Sequence, residues 1–357
     1  MVKDFREDTW EDLGKNLEGK GLFLFGAGNV GIKVCEDLYK YCTSWDVLGI
    51  LDNDPDKEGR HICGVQVFLP EVLRKYDLNN IVVLICNWKT NAIARQLHEL
   101  GVRHYYSAIH LDVPKEFRET CHQSIIDSTD IEWLKQRVAD DYSRFLVDAI
   151  VEKRRTGFFD YTDIRSEGNE YFIDEFFTRN GYEVFIDGGG YDGDTIDEFV
   201  QWTQGHYNKI YTFEPQSDKS EMIEKKLWKY NGKVELIKKG LYDCQKELSF
   251  WSGNHLLSGK IDNKSGNTLI QTIDIDSVIH DMVTFIKMDI EGAEFKALLG
   301  AKNTIKKYKP NLAICIYHKP EDIWTIPRFI DSLVPEYKFH IRHFGWRYTS
   351  TILYCHL

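Results

Sequence analysis

An apolar, β-branched run, Glu183-Val184-Phe185-Ile186, ends abruptly in Asp187-Gly188-Gly189-Gly190-Tyr191-Asp192-Gly193-Asp194-Thr195, and this leaves the chain few folds to choose from. The run favours a strand, and the glycines can continue neither strand nor helix, so the chain must turn there. From Thr195 the pattern Ile196-Asp197-Glu198-Phe199-Val200 predicts a helix. Strand, glycine turn and helix in that order put a helix N-terminus at the carboxyl end of a parallel sheet, a usual place for a nucleotide-like ligand.

Charge narrows the ligand. Asp187, Asp192 and Asp194 would repel a diphosphate but suit a ligand with a positive charge and a free amino group. S-adenosylmethionine carries both, so the turn reads as its cofactor loop: Asp187 near the amine, Gly189 and Gly193 admitting close backbone approach, and Gly188, Gly190, Tyr191, Asp192 and Thr195 completing it. About twenty residues on, Ile210-Tyr211-Thr212-Phe213-Glu214-Pro215 is a second short strand ending in an acid. In a nucleoside-binding βαβ unit an acid there accepts hydrogen bonds from the ribose hydroxyls, which makes Glu214 a cofactor residue.

At 357 residues the chain is too long for one ordinary core and suits two domains. A formal charge of -11 argues against a nucleic-acid partner, because phosphate binding needs a basic face. No apolar run reaches the length of a membrane span and the start is too charged for a signal peptide, so a soluble, cytoplasmic protein is expected. Eight cysteines without a Cys-x-x-Cys spacing read as buried thiols.

Residues up to Gly19 suggest a short amphipathic helix. The strand 21–25 then feeds Gly26-Ala27-Gly28-Asn29-Val30-Gly31, a helix with Val30, Val34, Leu38 and Tyr41 on one face, and a second strand, 47–51, running into Asp52. This is a βαβ unit of its own. Gly26, Gly28, Asn29, Gly31 and Asp52 are a candidate nucleotide or nucleotide-sugar site, against the alternative of a docking domain that retains the turn. Alternation continues through a helix near Pro70, a strand over 81–86, a helix over 91–100 and a closing strand near 102–106. The expected architecture is α/β with two doubly wound Rossmann-like domains, 1–112 and 181–357, joined by a helical segment over 113–180. Within that segment Ser128-Thr129-Asp130 can cap one long bridging helix through Ile150 to Gly157, and Tyr171, Phe172, Phe176 and Phe177 read as core aromatics on a further helix.

In the second domain a third strand over 234–238 precedes Gly240 and Leu241, candidate neighbours of an adenine; 250–272 reads as hairpin or loop. A fourth strand carries Asp289 and Glu291 to its carboxyl end, a fifth carries His318, and 338–343 with 351–355 forms a final antiparallel pair.

Four motifs here, Phe185-Ile186-Asp187-Gly188-Gly189-Gly190-Tyr191-Asp192-Gly193-Asp194-Thr195, Phe213-Glu214-Pro215, Lys287-Met288-Asp289-Ile290-Glu291-Gly292-Ala293-Glu294 and Tyr317-His318-Lys319-Pro320-Glu321-Asp322, resemble the FkbM family of methyltransferases. Tyr191 stands where many members of the wider class place a glycine. The resemblance implies a seven-stranded class I sheet, S-adenosylmethionine as cofactor, and methyl transfer to a hydroxyl, often of a sugar or glycan precursor. The first domain is similar, over 25–31 and 51–54, to the small Rossmann-type domain of some sugar-modifying enzymes.

O-methylation needs a proton acceptor near the hydroxyl. The expected catalytic residues are His318 as base, Asp289 orienting it or the acceptor, and Glu291 beside them. A divalent metal on Asp289, Glu291 and His318 is open but not expected, and a homo-oligomer is possible. Two other readings stay open: a nicotinamide-dependent oxidoreductase of a nucleotide-sugar, and a non-catalytic module binding S-adenosylmethionine or a glycan.

Overall fold

The computed structural model describes residues 19–41, 47–87, 89–108, 129–156, 161–251, 260–261 and 268–357. Their contacts divide them into two compact units, one from residues within 1–126 and 151–163, the other from 127–150 and 164–357. The helix expected before Gly19, and the proposed helix ends at Ser128 and Gly157, lie outside the described residues.

The first unit is a six-stranded sheet in the order β3-β4-β2-β1-β5-β6. Its strands are β1 (Gly21–Phe25), β2 (Val47–Leu51), β3 (His61–Ile62), β4 (Val65–Phe68), β5 (Ile81–Ile85) and β6 (Tyr105–Ser107). All pairings are parallel except the β3/β4 hairpin. Side chains alternate across a strand, so a parallel strand covered on both faces must be apolar throughout. In β1, Leu22 and Leu24 pack with Val34, Cys35 and Leu38 of helix α1 (Asn29–Tyr41), whereas Phe23 and Phe25 pack with Ile93, Ala94 and Leu97 of α2 (Thr90–Glu99). One helix per face is the doubly wound layering expected.

The second unit opens with α3 (Thr129–Arg137) and α4 (Asp141–Thr156), the latter passing into the first unit after Ile150. The single bridging helix expected is thus two. Apolar spacing continues across the break, but Ala139 donates its amide to the carbonyl of Phe339 (2.8 Å), and Asp140 caps the new helix by accepting from the amide of Ser143 (2.7 Å) and its hydroxyl (2.8 Å). Residues 169–180 are turns, not the helix expected. The Asn169 side chain accepts from the amides of Tyr171 (3.0 Å) and Phe172 (2.7 Å), an Asx turn that competes with helix. Phe172, Phe176 and Phe177 nonetheless enter the core, with Phe172 against Phe185, Phe199 and Phe285.

The main sheet has seven strands in the order β16-β17-β15-β14-β7-β8-β9. They are β7 (Val184–Gly188), β8 (Lys209–Phe213), β9 (Val234–Ile237), β14 (Phe285–Met288), β15 (Asn311–Cys315), β16 (Lys338–His343) and β17 (Thr351–His356), the last pairing antiparallel to both β15 and β16. Because the chain runs from β7 to β8 and β9 on one side and later crosses back to β14 on the other, the crevice outside β7 and β14 is the topological switch point, where an open α/β sheet binds ligands. The stretch read as hairpin or loop belongs to a small second sheet, β10-β13-β11-β12, with β10 (Gly240–Leu241), β11 (Lys246–Trp251), β12 (Lys260–Ile261) and β13 (Thr268–Ile273). Among the described residues no helix is long and apolar enough to cross a membrane. Cys35, Cys86, Cys315 and Cys355 are buried thiols; Cys63 and Cys244 are exposed.

Candidate functional site

At the carboxyl ends of β7, β8 and β14 lies a cleft of about 310 Å³. Its walls include Gly189, Tyr191, Asp194 and Thr195 of the glycine turn, Glu214 after β8, Gly240 and Leu241 of β10, Asp289 and Glu291 after β14, and Glu170 and Tyr171 from the preceding turn. Asp187, Gly188, Gly190, Asp192, Gly193 and His318 are not among its lining residues.

The glycine turn is internally saturated. The amides of Gly189 and Gly190 both donate to the carbonyl of Phe213 (3.1 Å each), that of Tyr191 to Glu214 (3.0 Å) and that of Gly193 to the carbonyl of Gly190 (2.7 Å). These amides are not free for a phosphate, which agrees with the charge argument against one. Gly189 has φ +82, and a Cβ there would stand 2.0 Å from the carbonyl oxygen of Asp289. Its glycine is required by loop-on-loop packing more than by an approaching ligand. Tyr191, where the wider class often has glycine, is indeed left-handed at φ 45; it is half exposed, with Lys219 Nζ 4.3 Å from its ring centroid.

Asp187 does not face the cleft as expected. It is fully buried, accepting from the Thr212 hydroxyl (2.9 Å) and pairing with Lys287 Nζ (3.1 Å). Lys287, itself buried, also donates to the carbonyls of Gly188 (3.2 Å) and Gly189 (2.9 Å). The pair thus ties the glycine turn to β14. The sequence reading gave Lys287 no role. A lone charge in the buried strand Phe285-Ile286-Lys287-Met288 was the available signal, since such a charge needs a buried partner. Asp192 is likewise turned away, onto Lys226 (3.5 Å).

Glu214 fits its expected place. Its carboxylate accepts from the amides of Tyr191 (3.0 Å) and Gln216 (2.8 Å), which fixes its orientation toward the cleft. Burial pushes its pKa up to about 7, with Asp187 adding to the rise, while those two amides and Lys287 pull the other way. Glu170, which the sequence reading missed, is also pushed up to about 7, by burial and then by Asp289. Asp194 and Glu198 add further carboxylates to the rim. Acids in the lining outnumber its one lysine, Lys287, so the cleft carries an excess of negative charge.

Beyond β14, Asp289 accepts from the hydroxyls of Tyr171 (2.9 Å) and Tyr317 (3.0 Å). Burial alone would raise its pKa; His318, Lys287 and the two hydroxyls outweigh it and hold the carboxyl below the usual range. His318 stands against three acids, with Nε2 3.4 Å from both Asp289 and Glu291, and Nδ1 3.0 Å from Glu294. Burial opposes its charge, but Glu294, Glu291 and Asp289 win and lift its pKa well above 6.5. That shift favours the charged ring, whereas the expected base has to be neutral to accept a proton. Tyr171, read as core only, reaches the site through its hydroxyl.

In the first unit a cleft of about 370 Å³ includes Gly26 and Asp52, with Gly28, Asn29 and Gly31 outside its lining. Asp52 already accepts from the amides of Ala27 (2.8 Å) and Asp54 (2.9 Å) and from Lys57 Nζ (3.1 Å).

Comparison with known proteins agrees with this division. Over 119 residues the chain is 28% identical to the redox-sensing transcriptional repressor Rex of Pelotomaculum thermopropionicum, a match to the first unit that covers 32% of this chain and 55% of the relative. The chain therefore spans about half the length of that curated relative. A methyltransferase FkbM from Methylobacillus flagellatus is similar in fold at a TM-score of 0.75 and 19% identity, covering 97% of this chain and 92% of that one. Residues 187–341 match the family described as the methyltransferase FkbM domain, and the second unit is accordingly a methyltransferase domain of the FkbM family.

Proposed function

We propose that the second unit binds S-adenosylmethionine in the acid-lined cleft and transfers its methyl group to a hydroxyl of a sugar or glycan precursor. The observation that carries this reading is the uncompensated acidity of a cleft built at the switch point of the sheet. Burial, and then neighbouring acids, push both Glu214 and Glu170 up to about 7, and a bound sulfonium would favour their charged forms. When bound, the cofactor contributes an electrophilic methyl carbon and leaves as the neutral thioether.

The chain's own residues fall into three tasks. Glu214, already oriented by two amides, has lone pairs left for the ribose hydroxyls, and Leu241, Phe250 and Ile270 offer an apolar wall for a base. Asp194, Glu198 and Glu170 face the positive end. Asp289 and Glu291, at the far side, are the carboxylates toward which an acceptor hydroxyl can direct its proton, a role that His318 fills only in its neutral form, which the three acids around it disfavour. Asp187 and Lys287 act on the loop, not on the ligand.

The test is mass spectrometry of acceptor-library reactions with S-adenosylmethionine. A gain of one methyl on a sugar hydroxyl is the expected result. Calorimetry showing no binding of S-adenosylhomocysteine to the folded protein would sink the reading.

A further inference from the structure

We infer that Asp289, Glu291 and His318 form a binding site for a divalent first-row cation, manganese or zinc in preference to magnesium or calcium. The three residues each offer one ligand atom, and these atoms all lie within 4.8 Å of one another. His318 Nε2 is 3.4 Å from Asp289 Oδ1 and 3.4 Å from Glu291 Oε2. That spacing is long for a hydrogen bond, and Nε2 makes none although its side chain is only 9% exposed. A buried ring nitrogen set between two carboxylates at ion-pair but not hydrogen-bond distance leaves room for a cation shared by all three. Metal–ligand bonds of about 2.1 Å at tetrahedral to octahedral angles separate neighbouring ligand atoms by roughly 3.0–3.5 Å, and the two 3.4 Å gaps from Nε2 fall in that range.

The surroundings are those that such a site requires. Glu294, fully buried, places Oε1 3.0 Å from His318 Nδ1 as an ion pair and is itself fixed by the amide of Ile290 (2.8 Å), so a carboxylate stands on the ring's other side, within reach of orienting a ligating histidine. The hydroxyls of Tyr171 and Tyr317 hold Asp289, and the Tyr317 ring lies 4.0 Å from that of His318. Asp289 and Glu291 also line the cleft, which leaves coordination positions open toward a ligand there. One imidazole with two carboxylates suits manganese or zinc better than the all-oxygen shells of magnesium and calcium. The use of the ion, to hold and acidify the acceptor oxygen, rests on the methyl-transfer reading; the binding itself does not.

Untagged full-length protein stripped with chelator and titrated by calorimetry with MnCl₂, ZnCl₂ and MgCl₂ tests the site without any acceptor. One equivalent of manganese or zinc should bind, at least tenfold tighter than magnesium, and raise the melting temperature of the stripped protein. Glu291→Gln and His318→Asn, confirmed as folded by circular dichroism, should each weaken that binding tenfold or more. Absence of stoichiometric manganese and zinc binding to folded protein, or undiminished binding in both variants, overturns the inference. Metal binding without S-adenosylhomocysteine binding would uphold the site while removing the methyl-transfer reading; cofactor binding without metal does the reverse.

Discussion

The chain contains two glycine turns after a first strand, each followed about twenty residues on by a strand that ends at an acid, and the two have been finished differently. After β2, Asp52 is neutralised by Lys57 and engaged by two backbone amides, and its carboxyl is held low. After β8, Glu214 has two amides but no lysine of its own, and burial holds its carboxyl high. The lysine of the second site, Lys287, lines the cleft but is committed to Asp187. Gly31 and Gly189 show the same contrast. An added Cβ at Gly31 would stand 1.8 Å from the carbonyl oxygen of Gly26, within its own turn, whereas at Gly189 the obstacle comes from another strand's loop. One βαβ pattern can thus yield a self-contained turn or an acid-rich cleft, and what decides is where the cations sit.

The largest effect should come from separating the buried pair. Lys287→Met leaves Asp187 charged and unpaired, and should lower the unfolding free energy of the second unit by about 3–5 kcal/mol in urea denaturation. Lys57→Met, at a pair open to solvent, should cost no more than about 1 kcal/mol. If the two losses were equal, the distinction between floor and surface lysine would fail. Adding Asp187→Asn to Lys287→Met should recover much of the first loss.

A smaller change is expected in ligand affinity. Glu214→Ala should weaken S-adenosylhomocysteine binding by about 1–3 kcal/mol in calorimetry, the cost of unpaired ribose hydroxyls. Asp52→Ala should leave it unchanged, and a matching loss there would make the first turn a participant.

The subtlest signature is in protons. Glu214, facing Asp187 and Lys287, has its pKa raised from 4.5 to about 7. In the ligand-free protein its uncharged form therefore adds stability that is complete below about pH 4.5 and lost as pH rises through about 7. Ribose hydroxyls and a sulfonium favour the carboxylate, so binding at pH 6 should release a fraction of a proton, read from calorimetry in buffers of different ionisation heat. Proton uptake instead would reverse the assignment of Glu214. Asp52, already low, should contribute none.

Much of this was legible in the residues. Period-two apolar runs, glycine turns and acids at strand ends are local patterns, and they sufficed for two doubly wound units, the order of the second unit's strands along the chain, and the place of Glu214, Asp289 and His318 at one sheet edge. The misreadings share a cause. The break between α3 and α4 is made by Phe339, about two hundred residues away, and the helix expected to carry Tyr171, Phe172, Phe176 and Phe177 gives way to an Asx turn whose aromatics are wanted by the core. Tyr171 became a site residue through Asp289, 118 positions on, and Asp187 lost its expected ligand contact to Lys287, 100 positions on.

The sequence by itself determined which strands form, where the chain turns and how much acid the second turn carries, because backbone propensity and side-chain alternation act over a few neighbouring residues. Only the tertiary structure decided which of those acids is buried against a lysine, which faces the cleft, and which meet at His318. A buried charge settles where its partner is, and pairing across β7, β14 and the loop after β15 is fixed by sheet order, which no local stretch of the chain contains.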